Sequence, residues 1–378
     1  MKKTLVAIAA LAAVSAFAQS SVTLYGIGDM WFGTSTSGVG AAKVTQTVLN
    51  SGGLNGSRFG LRGTEDLGGG LAANFQFENG FGLDNGVTSN SNSGVLTGAA
   101  AGFSRTAAAA TGGAVAIFGR QAFIGLSGGF GNVRLGRQYS SYDELRGGTD
   151  TLGHTSFSAT AGLGAWDSVG ANYTFRVNNM IRYETPNMGG LTANLSYGLG
   201  ENKTAANSAD SLMAFKLQYA NGPIMAGLAY QSEKAGARAA AAAVVAVPGN
   251  AGTAAITATT GATLKHTLFG GSYDLGVAKL NAGFNTSSWT GSNKDKEMQF
   301  GVTIPLGATS VALGYGNSKN STAGVTNAKG NSLGLQAIYA LSKRTSAYAG
   351  LQNTTIKNGA GVTTAKTNVT AIGLRHTF

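Results

Sequence analysis

Residues 296–304 read Lys296-Glu297-Met298-Gln299-Phe300-Gly301-Val302-Thr303-Ile304, and this stretch shows the pattern on which the fold prediction depends. Apolar side chains occupy the even positions from 298 to 304, while the odd positions hold polar residues or glycine. This alternation is typical of a β-strand with one apolar and one polar face, because successive strand side chains point to opposite faces. An amphipathic helix would instead need apolar residues three and four positions apart.

The same alternation recurs along the chain, for example over 191–199 and 213–219. Connections of two kinds separate the alternating stretches, and the two kinds themselves alternate. Seven are short and rich in Gly, Pro, Asn or Asp, as tight turns are; they span 65–70, 127–131, 185–190, 220–223, 274–276, 305–308 and 341–343. Eight are long and polar; they span 34–54, 82–115, 139–174, 200–210, 234–263, 289–295, 318–329 and 357–365. Together they predict sixteen strands.

Sixteen antiparallel strands with short turns at one end and long loops at the other predict an all-β transmembrane barrel. A soluble β-sandwich is the competing fold, but it would need a dry core between two sheets. One face of nearly every strand here is too polar for such a core. Because a closed barrel has no exposed edges, we expect 22–26, in the first strand, to pair with 368–378, in the last.

Composition agrees with strands that face lipid on one side and water on the other. Charged residues make up 11% of the chain, far below the ~25% of soluble domains. The chain contains 59 glycines and no cysteine. An exported protein without cysteine cannot depend on disulfides, so another network must hold it together.

The N-terminus carries the features of a secretory signal peptide. Lys2 and Lys3 precede a short apolar run, and Ala16-Phe17-Ala18 has the form of a cleavage site. The run is shorter than the ~20 residues that a membrane-spanning helix needs. We therefore predict a signal peptide over 1–18 and the barrel over 19–378.

The net charge of +11 is strongly basic. Nucleic-acid binders concentrate such charge in patches or stripes, whereas the basic residues here are scattered along the chain. The charge therefore argues against a nucleic-acid partner, and attraction of small anions is the better interpretation.

Strand alternation assigns two arginines to the polar face. Arg58 and Arg62 share a face with Thr64, while Phe59 and Leu61 lie on the opposite face. An arginine on the lipid side near the bilayer midplane costs about 2–4 kcal/mol. Arg58 and Arg62 are therefore predicted to face the lumen and line the pore.

Two further arginines are candidates for the same wall. Arg182 lies between Ile181 and Tyr183, so its side chain should point away from theirs and into water. Arg120 is ambiguous, because alternation groups it with Ala122 and other apolar residues.

Five segments, in order along the mature chain, resemble general bacterial porins, and together they resemble those of beta-proteobacteria. They are 21–26 (SVTLYG), 56–68 (GSRFGLRGTEDLG), 118–126 (FGRQAFIGL), 135–139 (LGRQY) and 376–378 (HTF). The resemblance implies an outer-membrane homotrimer of sixteen-stranded barrels embedded in lipid, with the third long loop folded into each pore. It also implies passive diffusion of small polar solutes, and that the assembly machinery of the outer membrane reads the terminal Phe378.

The resemblance also implies charged groups at the pore constriction. It matches Arg58, Arg120 and Arg182 to the basic wall, and it places Asp143, Glu144 and Asp150 in the constriction loop, over 139–174. The family often has a Pro-Glu pair soon after the position of Asp150, and this chain lacks it. A basic wall that faces few acids predicts a preference for anions.

The sequence offers no convincing catalytic or metal site. The match to G-x-S-x-G over 125–129 lies at a turn between strands, where the motif would need a strand-to-helix elbow. The histidines are His154, His266 and His376; they are far apart, and there is no cysteine, so neither a metal nor a cofactor is predicted. Two alternatives remain open: an outer-membrane hydrolase with a site at the barrel rim, and an adhesin that binds through its long loops.

Overall fold

The computed structural model describes residues 21–88, 116–163, 173–201, 203–237, 261–289 and 292–378. The predicted signal peptide over 1–18 lies outside the described residues.

The described residues form one antiparallel sheet of seventeen strand segments. The segments are β1 (Ser21–Ser37), β2 (Val44–Ser51), β3 (Arg58–Gly68), β4 (Leu71–Gly80), β5 (Gln121–Gly128), β6 (Gly131–Tyr139), β7 (Arg176–Glu184), β8 (Leu191–Leu199), β9 (Ser211–Asn221), β10 (Ile224–Lys234), β11 (Thr263–Asp274), β12 (Lys279–Trp289), β13 (Asn293–Leu306), β14 (Thr309–Thr322), β15 (Val325–Ala340), β16 (Thr345–Asn358) and β17 (Thr363–Thr377). Two short α-helices, α1 (Ser141–Thr149) and α2 (Ala159–Leu163), lie between β6 and β7, and a 3-10 helix spans Gly40–Ala42. Among the described residues no helix has the length and apolar character to cross a membrane.

Two of the strand segments belong to one barrel strand. Residues 30–37 of β1 pair with β2, and residues 21–27 of β1 pair with β3. β2 and β3 therefore continue one another, with an interruption over 52–57. Counted in this way the barrel has sixteen antiparallel strands, which confirms the prediction.

The barrel closes between its first and last strands, as predicted, but in a different register. Residues 27–37 of β1 pair with 367–377 of β17. The segment 22–26 pairs mainly with β3 instead. Only its last residue, Gly26, reaches the C-terminus, through two backbone hydrogen bonds with Phe378 of 3.0 and 3.1 Å.

Three of the predicted long loops are mostly strand. β14 and β15 extend through most of 318–329, β16 and β17 through much of 357–365, and the β1–β2 hairpin fills most of 34–54. Backbone pairing continues where both faces are polar, because a strand outside lipid needs no apolar side. The prediction therefore ended these strands too early, because it interpreted polar residues as the beginning of a loop.

The two faces of the barrel differ as the alternation requires. On β13 the side chains of Met298 and Phe300 are 39% and 53% exposed, whereas those of Glu297 and Gln299 are each 1% exposed. We call the face with the exposed apolar side chains the apolar face and the opposite one the polar face. In a closed barrel, apolar side chains on the outside meet lipid.

Candidate functional site

The polar face carries a cluster of charged side chains around Glu78, on β4. One carboxylate oxygen of Glu78 accepts from Nε of Arg120 at 2.8 Å, and the other accepts from the Tyr25 hydroxyl at 3.0 Å. Arg120 and Glu78 are both buried. A charge-assisted pair of this length is among the stronger hydrogen bonds in proteins, so Glu78 fixes the direction of the Arg120 side chain.

The Tyr139 hydroxyl joins two arginines of this cluster. It accepts from Arg120 at 2.8 Å and from Arg176, at the start of β7, at 2.9 Å. The Arg176 guanidinium also lies over the Tyr139 ring, 4.9 Å from its centre. Arg58 is their electrostatic neighbour, and its Nε donates to the carbonyl of Gly56 at 3.0 Å. Arg58, Arg120 and Arg176 therefore share one part of the polar face.

Local irregularities explain why alternation was ambiguous for Arg120. The residue precedes the first residue of β5, and its backbone N–H donates to the carbonyl of Glu78 at 3.1 Å. Alternation within β5 therefore does not set its direction. The β6–β7 pairing shifts register between Gly136 and Gln138, so alternation along β7 cannot be carried over from Arg182 to Arg176.

A second group of basic side chains lies nearer the short-turn end of the same wall. A polar recess of about 410 Å³ is lined by Arg62 and Arg134, together with Gln76, Asn74 and other polar residues of β1 and β3–β6. The Arg62 guanidinium lies 5.1 Å from the centre of the Tyr25 ring, within the range of a cation–π contact. Arg62 is exposed, and Arg134 is half-buried. These two guanidinium groups therefore remain accessible.

Helix α1 brings an acidic residue to this wall. The Ser140 hydroxyl accepts from the N–H of Asp143 and caps the helix, and acidic residues in a first turn favour helix formation. Glu144 lies 2.5 Å from Arg182 on β7 and 3.0 Å from Lys216 on β9. Burial alone would raise the pKa of Glu144, but the two cations outweigh burial and lower the pKa to about 2.

Asp143 contacts two other residues of the predicted constriction loop, over 139–174. It accepts from the hydroxyl of Tyr173 and lies 3.8 Å from Arg146. Arg146 also approaches Nδ1 of His154 at 3.3 Å. Burial, reinforced by the Arg146 charge and only partly opposed by Asp150, lowers the pKa of His154 to about 3. His154 is therefore neutral at physiological pH.

The Asp150 carboxylate organises the segment that contains it. It accepts from the N–H groups of Leu152 and His154, and from the hydroxyls of Ser158 and Thr160 at 2.7 and 2.5 Å. Asp150 is 5% exposed, and none of these four contacts is with a wall arginine. Its position favours a role in shaping the turn between α1 and α2.

Glycines on the polar face make room for the segment over 140–163. Gly227 lies opposite Gly270, and Gly301, Gly314 and Gly334 lie opposite one another on three successive strands. Gly350, on β16, belongs to the same set because its Cβ position also meets the segment. A Cβ at Gly227 would lie 2.5 Å from Leu145, and one at Gly350 would lie 2.3 Å from the Phe157 ring. Leu145 and Phe157 are both fully buried. The segment therefore packs directly on the backbone of these strands.

The structure brings together some of the predicted site residues and separates others. Arg58 and Arg120 share a cluster, and Arg182 pairs with Glu144. Asp143 contacts Arg146 and Tyr173, and the Asp150 carboxylate bonds to residues 152–160. Sequence reasoning did not identify Arg134 and Arg176. The sequence did contain a signal for the path of the segment. Each of these glycines occupies a polar-face position of its strand, where the missing side chain leaves room for the segment.

A closed sixteen-stranded barrel with a lipid-facing exterior and a charged polar face defines a channel of the outer membrane rather than an enzyme. The family model described as Gram-negative porin matches residues 4–359. The chain belongs to this family and is an outer-membrane general diffusion porin, as the sequence predicted.

Two curated relatives, both named as porins, match this chain over most of their length. An outer membrane porin protein of Bordetella pertussis is 30% identical, with all of both chains covered. Outer membrane porin protein 32 of Delftia acidovorans is 32% identical over 93% of this chain and 89% of that protein. Among solved structures, the anion-selective porin from Comamonas acidovorans has 28% identity and a TM-score of 0.71, with 95% of this chain and 100% of that chain covered.

Proposed function

We propose that this porin passes small hydrophilic solutes by passive diffusion and favours anions. The observation that carries the proposal is the concentration of basic groups on one part of the polar face. Between β3 and β9, seven basic side chains, Arg58, Arg62, Arg120, Arg134, Arg176, Arg182 and Lys216, lie with the carboxylates of Glu78, Glu144 and Glu184. The polar-face carboxylates of Asp295 and Glu297 lie on β13, outside this part of the wall. Charged groups that line a narrow passage select ions by sign.

The accessible part of this charge lies on Arg58, Arg62 and Arg134. Arg120 and Arg176 are buried and bonded to Glu78 or Tyr139. Three half-buried or exposed guanidinium groups remain to attract anions from water. Arg182 is only 2% exposed, so it is not available to solutes. Its ion pair with Glu144 instead holds helix α1 against the wall.

The segment over 140–163 is proposed to narrow the channel. Its contacts with the polar face extend from Asn194 on β8 to Gln352 on β16, and Ser156 also bonds to the carbonyls of residues 52 and 53. A segment that spans so much of that face reduces the cross-section open to solutes. It thereby brings solutes close to the accessible arginines.

Four further proposals follow from the sequence. Residues 1–18 are removed as a signal peptide. Phe378, at the barrel seam, is recognised by the assembly machinery of the outer membrane. The protein forms a homotrimer; one solved structure with the same fold is described as a trimer form. No catalysis occurs: Ser127 of the G-x-S-x-G match lies near the end of β5, before a turn to β6, so it lacks the geometry of a nucleophile elbow.

The experiment is a reversal-potential measurement on purified protein in a planar bilayer with a tenfold KCl gradient. Anion preference gives a potential of the sign set by chloride, and it weakens at high salt because the screening length is about 3 Å at 1 M. A potential of the opposite sign, or none, overturns the proposal.

A further inference from the structure

The exterior of the barrel carries a row of lysines near the end opposite the short turns. These lysines lie on four successive strands, β13 to β16, and all are exposed on the side of the apolar face. They are Lys296, Lys319, Lys329 and Lys357. The strand register sets each directly opposite the next. We call these four side chains the lysine row.

Such a row is unfavourable by itself, because like charges directly opposite on neighbouring strands repel. β13 to β16 contain only two carboxylates, Asp295 and Glu297. Both point to the polar face and are 1% exposed. Within the part of the chain that the structure describes, no lysine of the row forms an ion pair. Four adjacent ammonium groups therefore have no counter-charge among the residues that the structure describes.

An open pocket adjoins the row. Lys294, Lys296 and Lys319 line a cavity of about 540 Å³ between the ends of β13 and β14, together with the hydroxyl-bearing Ser292 and Ser321. Ammonium and hydroxyl groups are donors suited to phosphate oxygens. The pocket and the row together form one basic surface, about 14 Å wide if neighbouring strands are about 4.8 Å apart.

The row lies next to the apolar face in an ordered sequence of side-chain types. Towards the short turns an amide layer comes next, in which Asn317 donates to Asn331 at 2.7 Å and Asn353 donates to Asn368 at 2.8 Å. Exposed Leu333 and Leu351 follow further along the same strands. The order of ammonium, amide and apolar groups matches that of a lipid: a charged headgroup, a polar linkage region and acyl chains.

We propose that the lysine row and its pocket bind the phosphate groups of an anionic glycolipid in the outer leaflet of the membrane. The charge is complementary, and the acyl chains would lie along the apolar face below. The end of the barrel with the longer connections faces outward in porins, which places the row at the outer leaflet. A symmetric contact of this face with the same face of a second copy fits poorly, because the exposed side of β13 to β16 offers no carboxylate.

The test compares two triple variants of the full-length protein in neutral detergent with EDTA, so that no divalent cation bridges the phosphates. One carries Lys296→Gln, Lys319→Gln and Lys329→Gln. The matched control replaces three exposed lysines away from the row, Lys203, Lys279 and Lys343, with Gln. Native mass spectrometry measures adducts with bisphosphorylated lipid A, monophosphorylated lipid A, phosphatidylcholine and inorganic phosphate as separate probes.

Wild type and control are expected to retain bisphosphorylated lipid A, and the row variant to bind it at least about fivefold more weakly. Monophosphorylated lipid A should bind less, and phosphatidylcholine should not bind. Equal binding by row variant and control, or stronger response to inorganic phosphate than to the lipid, overturns the proposal. So does a row variant that changes oligomeric state but not lipid binding. Single-channel selectivity should stay unchanged, which separates this test from that of anion preference.

Discussion

The carboxylate of Glu144 lies 2.5 Å from the guanidinium of Arg182, and this contact joins helix α1 to strand β7. Lys216 on β9 approaches the same carboxylate at 3.0 Å. One acidic side chain thus neutralises part of the wall charge and holds the segment in place. Its removal should affect both selectivity and the attachment of the segment.

Glu144→Gln should strengthen anion preference. The change removes the carboxylate partner of Lys216 and leaves Arg182 with only Glu184, at 3.2 Å, so the wall becomes more positive. The reversal potential in a KCl gradient should move further towards the chloride value. Glu201→Gln is the matched control, because Glu201 is exposed and accepts from Asn179 away from the basic wall. An equal shift in both variants would show that Glu144 has no special position.

Acid should release the segment only at very low pH. The pKa of Glu144 is lowered from 4.5 to about 2, so its ion pairs stabilise the folded segment fully above pH 4.5. That stabilisation is lost as pH falls through about 2. Pepsin should therefore spare 140–163 at pH 4 and cleave it near pH 2. Glu144→Gln, which cannot titrate there, corrects for the pH dependence of the protease, and a wild-type profile identical to the variant's contradicts the prediction.

The double variant Arg58→Ser with Arg62→Ser should reduce the chloride-to-potassium permeability ratio by roughly twofold or more. A unit charge about 4 Å from an ion in water contributes about 1 kcal/mol, and these two charges are accessible. Bi-ionic or gradient potentials measure the ratio. The control, Lys279→Ser with Lys343→Ser, removes two exposed charges near the short-turn end of the barrel. A ratio that stays at the wild-type value in the arginine variant would exclude these residues from selectivity.

Gly350→Leu should raise single-channel conductance. A Cβ there would lie 2.3 Å from the Phe157 ring, so the segment must leave the wall of β16. Phe157→Ala, which removes the contact from the other side, should act in the same direction. Gly147→Ala is the control, because a Cβ at Gly147 meets nothing within 4 Å. Unchanged conductance in folded Gly350→Leu and Phe157→Ala would argue that the segment does not narrow the channel.

Asp29→Ala should destabilise the barrel seam more than Tyr348→Phe. The Asp29 carboxylate accepts from the N–H groups of 53, 54 and 55 and from the Tyr348 hydroxyl. Each hydrogen bond to a charged group contributes about 1.5–3 kcal/mol, and Tyr348→Phe loses one of the four. Urea unfolding followed by tryptophan fluorescence gives the order. Tyr197→Phe, an exposed tyrosine on the apolar face, should be neutral; the prediction is wrong if it matches Tyr348→Phe.

Alternation predicted the barrel because it is a local property that every strand carries. Neighbouring residues alone place Glu297 and Met298 on opposite faces, and the cost of charge in lipid then directs Arg58 and Arg62 to the polar side. Alternation did not locate Arg120 and Arg176. Arg120 precedes its strand, and a register shift affects the pairing of β7. Neither feature changes the alternation of apolar and polar residues, so neither could be predicted from it.

The acids of the third loop show the same limit. Glu144 and Asp150 lie in one short stretch of sequence, yet Glu144 reaches two wall cations and Asp150 bonds to its own segment. The direction of each carboxylate depends on where helix α1 ends and which strands it meets. Resemblance to a family assigned both to the constriction loop, and it could not tell which of the two carboxylates contacts the wall cations.

The amino-acid sequence by itself determined that strands alternate lipid-facing and polar sides, that turns separate sixteen of them and that the first must meet the last. Each of these properties depends on residues close together in the chain. Tertiary structure alone decided the pairing of Glu144 with Arg182, the path of the segment over the glycines and the hydrogen bond from Tyr348 to Asp29, 319 residues away. Such contacts exist only after the barrel closes, because closure sets which distant side chains share a space.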